Sequence, residues 1–149
     1  MSLLAAADEG SVSMCRLLLA AGGDVEEREP IALWTPLHLA AINGHKRIIQ
    51  LLVSHEADVN SRDRTEFTPL HCASQEGHLA SVVTLLHAGA DPLLPNHGGV
   101  LPIHKAAQLN HPDVVKILIE QGGCSPDQVR HTALPVSYTH LTLPTKRIV

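Results

Sequence analysis

The sequence predicts an all-α protein in which short helical repeats stack into an elongated solenoid. Three observations support this fold class. Residues 35–67, 68–100 and 101–133 align with one another at a period of 33 residues. Each unit opens with a proline at a helix-start position and then carries apolar residues at helical spacing. Aromatic residues are only 2% of the 149, so the shared core must be aliphatic and rich in alanine.

The first helix of each unit is predicted to begin at its proline. Thr35 and Thr68 are good N-caps, and the missing N–H of a proline costs nothing at the first helical position. Small alanines in the middle of this helix let neighbouring helices approach closely. We expect the helix to end at Gly44, Gly77 or Asn110, because glycine and asparagine tolerate the left-handed conformation.

A second helix is predicted after each of these residues. Its apolar positions are spaced i, i+1, i+3 and i+4, which places them on one face. The residues expected on that face are Ile48, Ile49, Leu51, Leu52, Val82, Val83, Leu85, Leu86, Val114, Val115, Ile117 and Leu118. Neither helix of a unit could bury its face alone, so the units are expected to share a core by stacking.

The two ends of the chain differ from the repeats. Residues 3–34 match the template at a spacing of 34 and predict a partial repeat that lacks the opening of its first helix. We interpret this start as a fragment of a longer array, or alternatively as a degenerate cap made polar by Asp8, Glu9 and Ser11. Residues 135–149 have no helical stripe, and we expect a disordered, non-functional tail of the kind that read-through of a linker produces.

Several motifs recur in register. They are TPLHLAA at 35–41, TPLHCAS at 68–74, LPIHKAA at 101–107, the GH pairs at 44–45 and 77–78, and GADP at 89–92. Together they resemble the ankyrin repeat family over 1–134, with a partial repeat at 3–34 and repeats at 35–67, 68–100 and 101–133. The resemblance implies an ankyrin-repeat solenoid of stacked helix–loop–helix units, each with an outward β-hairpin finger.

Three residues depart from the family pattern. Leu101 replaces the capping threonine, which should cost about 1 kcal/mol of local stability. Glu66 stands where the family has a finger glycine, as at Gly99, and a side chain in the same turn costs roughly 1–2 kcal/mol. We therefore expect a reshaped second finger. Glu56 likewise replaces the glycine that follows the second helix.

Composition excludes several classes of function. The net charge is −4 with no basic run, which argues against nucleic-acid binding, and no apolar run approaches the ~20 residues that span a bilayer. The three cysteines, Cys15, Cys72 and Cys124, are far apart, which favours a reducing compartment. We expect an intracellular protein, cytoplasmic or nuclear, that binds neither membrane nor nucleic acid and is monomeric.

The eleven histidines suggest metal or catalytic chemistry, but their spacing favours structure. Six lie on the period in two columns: His38, His71 and His104, and His45, His78 and His111. Histidines of one column would lie about 10 Å apart, too far to share a zinc ion. We expect them to hydrogen-bond to backbone or to the capping threonine. Since no catalytic or phosphate-binding motif is present either, the sequence predicts no enzyme, no cofactor and no metal site.

The resemblance also implies where a partner binds, because the family uses finger tips and the exposed positions of the first helix. The positions of this sequence that match are Trp34, Phe67, Val100, Ile42, Asn43, Gln75, Glu76, Gln108, Leu109, Arg62, Arg64, Thr65, His97 and Gly98. Two of the three aromatic residues of the chain thus fall in one row. The alternative for Trp34 is that it folds back on Ile31 and Leu33 of the adjoining loop.

These observations predict a non-catalytic protein–protein interaction module, a scaffold or adaptor. Its expected partner is a protein or peptide, and the arginines would favour an acidic segment beside an apolar anchor. The alternative is a regulatory or substrate-recruiting segment of a larger enzyme such as a ubiquitin ligase or kinase. The sequence does not identify the partner, since one fold serves many functions.

Overall fold

The computed structural model describes residues 2–129 as a stack of helix pairs. The helices are α1 (Leu3–Glu9), α2 (Val12–Ala20), α3 (Pro36–Ile42), α4 (Lys46–Ser54), α5 (Pro69–Glu76), α6 (Leu79–His87), α7 (Pro102–Gln108), α8 (Pro112–Glu120) and the short α9 (Pro126–Val129). The first helices α1, α3, α5 and α7 pack side by side in one layer, and α2, α4, α6 and α8 form the second layer. The all-α repeat solenoid predicted from the sequence is confirmed. The predicted tail, 135–149, lies outside the described residues.

The first helices begin as the sequence predicts. The Thr35 and Thr68 hydroxyls each accept a hydrogen bond from the backbone N–H three residues later. The histidine at that third position returns the bond, since its Nδ1 accepts from the N–H of the threonine. Leu101 has no such acceptor, and its N–H alone is bonded, at 2.9 Å, to Nδ1 of His104.

The partial repeat is more complete than predicted. Helix α1 has seven residues, as many as α3, and Ser2 replaces threonine as its N-cap by accepting a hydrogen bond from the N–H of Ala5. The first turn of helix α1 is therefore present, and it begins at Leu3 after the N-cap Ser2. Gly44, Gly77 and Asn110 all have positive φ, as predicted for the residues that end the first helices.

The apolar stripe of the second helices is narrower than predicted. The second helices of the three full repeats each bury three residues at the same repeat positions: Ile48, Ile49 and Leu52 in α4, Ser81, Val82 and Leu85 in α6, and Val114, Val115 and Leu118 in α8. The prediction for α6 was shifted by one residue, because Val83 and Leu86 fit the same spacing but remain partly exposed. A serine therefore occupies a core position.

The fingers are tight turns joined edge to edge, and residues 2–129 contain no assigned β-strand. The second finger is closed by the bond from the N–H of Asp63 to the carbonyl of Phe67, 2.9 Å. Its neighbours on either side are linked through Arg64 N–H to Ala32 C=O and His97 N–H to Thr65 C=O. Glu66 has φ +65°, close to the +78° of Gly99, so the second finger keeps the family turn and the expected reshaping is wrong.

Candidate partner-binding surface

The row predicted to contact a partner lies immediately before three successive first helices. Trp34, Phe67 and Val100 precede the caps of α3, α5 and α7, and all three are partly exposed. They are neither free in solvent nor sealed in the core. The side chains of Trp34 and Phe67 are each contacted by a residue of a later repeat, and the two contacts differ.

Trp34 is held by the second finger. Its Nε1 donates a 2.8 Å hydrogen bond to Oδ2 of Asp63, and its ring lies nearly parallel to that of His38, with centroids 6.5 Å apart. The alternative in which Trp34 folds back on its own loop finds no support at Ile31, whose side chain is 78% exposed. Because the N–H already has a partner, the ring surface is what Trp34 can offer to a ligand.

Asp63 is a residue that the sequence reasoning did not select. Its Oδ1 accepts from the N–H of Thr65 and the N–H of Phe67, both at 2.8 Å, so one carboxylate closes its finger and anchors the indole. Asn96 closes the third finger in the same way through Gly98 and Val100. A signal was available, since Asp63 and Asn96 stand at the same position of the 33-residue period.

The first finger has one extra residue and a longer side chain at that position. Glu29 accepts there from the N–H groups of Ala32 and Leu33 through Oε1 and from Ile31 through Oε2. Leu33 has φ +63°, an unfavourable value for a bulky residue. The carboxylate thus holds the backbone that presents Trp34.

Phe67 is held between a histidine and a lysine. Its ring centroid lies 4.7 Å from that of His71, and the Nζ of Lys105 is 5.6 Å from the centroid of the phenyl ring. A cation at this distance from an aromatic face is attracted by the ring quadrupole, by about 0.5–1 kcal/mol at a partly exposed site. The sequence reasoning missed Lys105, although it replaces Leu39 and Cys72 of the earlier repeats.

The finger arginines chiefly tie neighbouring turns together. Arg62 lies 3.5 Å from Glu66, and Arg64 donates from Nε to the carbonyl of Ile31 at 2.6 Å. Arg28, which the sequence reasoning missed, donates from Nη1 to the carbonyls of Leu33 and Arg62, both at 2.7 Å. Positive charge is therefore present on the fingers, but in fixed positions and mixed with acidic groups.

The remaining predicted residues lie where the first helices end. Asn43 bridges to the preceding repeat, with its Nδ2 2.9 Å from Oδ1 of Asp8. Ile42 and Gln75 are partly buried, and their carbonyls accept hydrogen bonds from histidines of the next repeat. The residues of the predicted set that are exposed are Asn43, Arg64, Thr65, Glu76, His97, Gly98, Gln108 and Leu109.

The histidine columns are structural. In the first column, Nε2 of His38 and of His71 lies 2.8 and 2.7 Å from the carbonyls of Phe67 and Val100. In the second, the rings reach back to the preceding repeat, as His111 does to Gln75 at 2.9 Å. Burial lowers the pKa of His38, and it lowers the pKa of His71 to about 4, so both rings are neutral near pH 7.

All three cysteines, Cys15, Cys72 and Cys124, are free and buried. Burial raises the pKa of all three cysteine thiols, to about 11 for Cys124, so the nucleophilic thiolate is disfavoured. No group of three metal-ligating side chains occurs in this part of the chain. Within the same residues, no helix is long and apolar enough to cross a membrane.

Comparison with known families agrees with this geometry. A family model described as "Ankyrin repeats (3 copies)" matches residues 3–96, and one described as "Ankyrin repeat" matches residues 98–131. The chain belongs to the ankyrin repeat family. Ankyrin repeats generally mediate protein–protein interaction, so the exposed surfaces of this array are where its function is to be sought.

Curated relatives each match this ankyrin chain over 63 residues. The chain is 35% identical over that length to the mouse "Ankyrin repeat and SOCS box protein 6" and 36% identical to the human protein of that name. It is 40% identical over 63 residues to the mouse "2-5A-dependent ribonuclease". Each match covers 42% of this chain but only 15% of the first two proteins and 9% of the third.

Proposed function

We propose that the chain is a non-catalytic interaction module that binds a protein partner with its fingers and the ends of its first helices. The observation that supports this most directly is the row of Trp34 and Phe67, two large side chains that are partly exposed and already held in place. Tryptophan and arginine dominate the energetics of protein interfaces, and side chains fixed before binding lose little entropy on binding.

The proposed partner segment combines an apolar anchor with acidic groups. The ring of Trp34 offers apolar area, Lys105 lies over the ring of Phe67, and Arg62 and Arg64 add positive charge on the second finger. Carboxylates of a partner would compete with Glu66 for Arg62 at little cost, since an exposed ion pair contributes only about 0–1 kcal/mol. We propose that the module acts as a monomer.

The test is capture of partners from cell lysate by wild type and by Trp34→Ala/Phe67→Ala, after equal helicity and melting have been established. Leu17→Ala is the control, because it removes a large apolar side chain, 65% exposed, on α2 in the layer of second helices. We expect the first variant to lose partners that the control retains. Equal capture by both variants would refute the proposed surface.

A second variant separates the ring of Trp34 from its hydrogen bond. Asp63→Asn removes the acceptor of Nε1 and leaves the indole present. If the ring is the anchor, Asp63→Asn keeps most of the binding that Trp34→Ala loses. Arg62→Ala/Arg64→Ala tests the acidic component, and binding that stayed unchanged in this variant would exclude it.

A regulatory or substrate-recruiting segment of a larger enzyme is the second candidate. It is favoured by the match to a protein whose name, "2-5A-dependent ribonuclease", is that of an enzyme and of which this chain covers 9%. An immunoblot of the native protein with an antibody against residues 35–67 would measure its size. The purified native protein would then be assayed for ubiquitin transfer, phosphorylation and RNA cleavage, and a short, inactive protein would exclude this candidate.

A further inference from the structure

The second helices of the first three repeats carry no acidic residue. α2, α4 and α6 contain Arg16, Lys46 and Arg47 and neither Asp nor Glu, although the whole chain has 15 acidic residues and a net charge of −4. The acidic residues lie on first helices, in fingers and loops, and on α8 and α9. The exposed face of the second helices, which we call the outer surface, is therefore positive in repeats one to three of a protein that is negative overall.

These three cations have no partner of their own. Within residues 2–129, the side chains of Arg16, Lys46 and Arg47 form neither an ion pair nor a hydrogen bond, and all three are exposed. The finger arginines differ, since Arg28 and Arg64 are bonded to backbone carbonyls. Cations without internal acceptors remain available for the carboxylates of another molecule.

An apolar groove of about 680 Å³ lies beside them, between α4 and α6. Val53, Leu79, Ala80 and Val83 line it, with Lys46 at its rim. A second, polar groove between α2 and α4 contains Arg16 and Arg47, and Gln50 lines both grooves, so the two adjoin.

The apolar side chain of Val83 is specific to the third repeat. Leu79 stands where the preceding repeat has Lys46, and Val83 stands where it has Gln50 and where the following repeat has Lys116. At the position of Val83 both neighbouring repeats are thus polar or charged, whereas Leu79 is matched by Lys46 before it and by Pro112 after it. Leu79 also packs against the solenoid core, whereas Val83 is not among the core residues, and the buried residues of α6 are Ser81, Val82 and Leu85.

We propose that this outer surface is a second docking site, for an acidic amphipathic segment of a partner protein. Its apolar side chains would enter the groove between α4 and α6, and its carboxylates would pair with Lys46, Arg47 and Arg16. A row of side chains from a helix or an extended segment fits between two helices, whereas a bilayer surface cannot follow such a groove. The site is separate from the finger surface, so the two could be occupied together.

The experiment measures fluorescence anisotropy of a labelled peptide on the full chain. The probe is a helical peptide of roughly 16 residues, about four turns, with leucine along one face and glutamate elsewhere. A second probe has lysine in place of every glutamate. We expect the acidic peptide alone to bind, and binding to weaken with added salt because exposed charge pairs are screened.

Two variants test the two parts of the site. We expect Arg47→Glu to weaken binding about tenfold, while Lys116→Glu, the same charge change on α8 outside the patch, leaves it unchanged. Val83→Gln should also weaken binding about tenfold, and it installs the residue that the preceding repeat tolerates at this position. Trp34→Ala/Phe67→Ala should bind the peptide as wild type does, which separates this site from the finger surface.

Four outcomes would overturn the proposal. One is equal binding of the acidic and basic peptides, and another is an Arg47→Glu variant that binds as wild type. The third is binding of vesicles that contain phosphatidylserine without binding of the acidic peptide, which would assign the patch to a membrane surface. Loss of peptide binding in the finger variant alone would place the acidic segment on the finger surface instead.

Discussion

The indole Nε1 of Trp34 donates to Oδ2 of Asp63 at 2.8 Å, and the Oδ1 of the same carboxylate closes the second finger. One side chain thereby joins two repeats and fixes the ring that we propose as an anchor. The two residues are 29 positions apart in the chain. This bond is the point at which stability and the proposed binding surface can be tested together.

Replacing Asp63 by asparagine should break this bond selectively. Asparagine can still close the finger through its carbonyl oxygen, as Asn96 does in the third finger, but its amide N–H groups cannot accept from Trp34. We expect the free energy of unfolding to fall by about 1 kcal/mol in urea titrations followed by circular dichroism.

A double-mutant cycle provides the control. In a Trp34→Phe background, Asp63→Asn should lower the free energy of unfolding by little more, because the hydrogen-bond donor is already absent. Additive losses in the double variant would show that the bond contributes nothing to stability. Since Trp34 is the only tryptophan of the chain, its emission in Asp63→Asn also reports how far the ring loosens.

The buried serine of α6 should be a weak point of the core. The Oγ of Ser81 is buried and has no hydrogen-bond partner, whereas Ile48 and Val114 occupy the equivalent positions. Ser81→Val should raise the free energy of unfolding by about 1 kcal/mol, because it removes an unsatisfied hydroxyl and adds apolar burial. Thr84→Val is the control, since the Thr84 hydroxyl already donates to Ala80, and it should bring no gain. A melting temperature of Ser81→Val below that of wild type would contradict this.

The glycine at the end of α5 is required for two reasons that can be separated. Gly77 has φ +73°, and a Cβ there would lie 2.5 Å from Nδ1 of His111. Gly89 has φ +96° but open space around it. Gly89→Ala should therefore lower the free energy of unfolding by the conformational cost alone, about 1–2 kcal/mol. Gly77→Ala should lower it further, because the repeats must also move apart. Equal losses in urea titrations would mean that the His111 ring moves aside freely.

The sequence predicted the parts of this fold that depend on neighbours along the chain. Thr35, Thr68 and the prolines after them placed the first helices, because capping is decided within four residues. The core position of Ser81 was missed, since Val83 and Leu86 satisfy the same helical spacing one residue further on. A hydrophobic pattern gives a period, and packing against the adjacent repeats decides which of two adjacent registers is buried.

The contacts that define the candidate surface could be predicted only in outline. The row of Trp34, Phe67 and Val100 followed from the period and from the family resemblance. Its partners did not, because Asp63 and Lys105 come from later repeats, and no local rule pairs side chains 29 or 38 positions apart. The variants of Trp34, Phe67, Arg62 and Arg64 test which of these side chains a ligand touches.

Stability of the array should depend on pH through its buried histidines. Nε2 of His71 donates to the carbonyl of Val100, and Nδ1 accepts from the N–H of Thr68 and lies 2.9 Å from its hydroxyl, so a second proton on Nδ1 would break the bond from the Thr68 N–H. Burial, the largest influence, lowers the pKa of His71 from 6.5 to about 4, and it also lowers that of His38. Between about pH 6.5 and pH 4 the unfolded chain binds a proton at His71 that the folded chain does not.

The free energy of unfolding should therefore be highest above about pH 6.5 and fall as the pH approaches 4, with about 2 kcal/mol lost at His71 by pH 4.5. Urea titrations across this range check the expectation. In His71→Gln, stability near pH 7 should be lower but its decline on acidification shallower, because the titrating ring is gone. His87→Gln, at an exposed position on α6, should leave the slope of wild type unchanged. If wild type kept its full stability down to pH 5, the histidine column would have to accept protons without unfolding, and the hydrogen bonds assigned to it would be wrong.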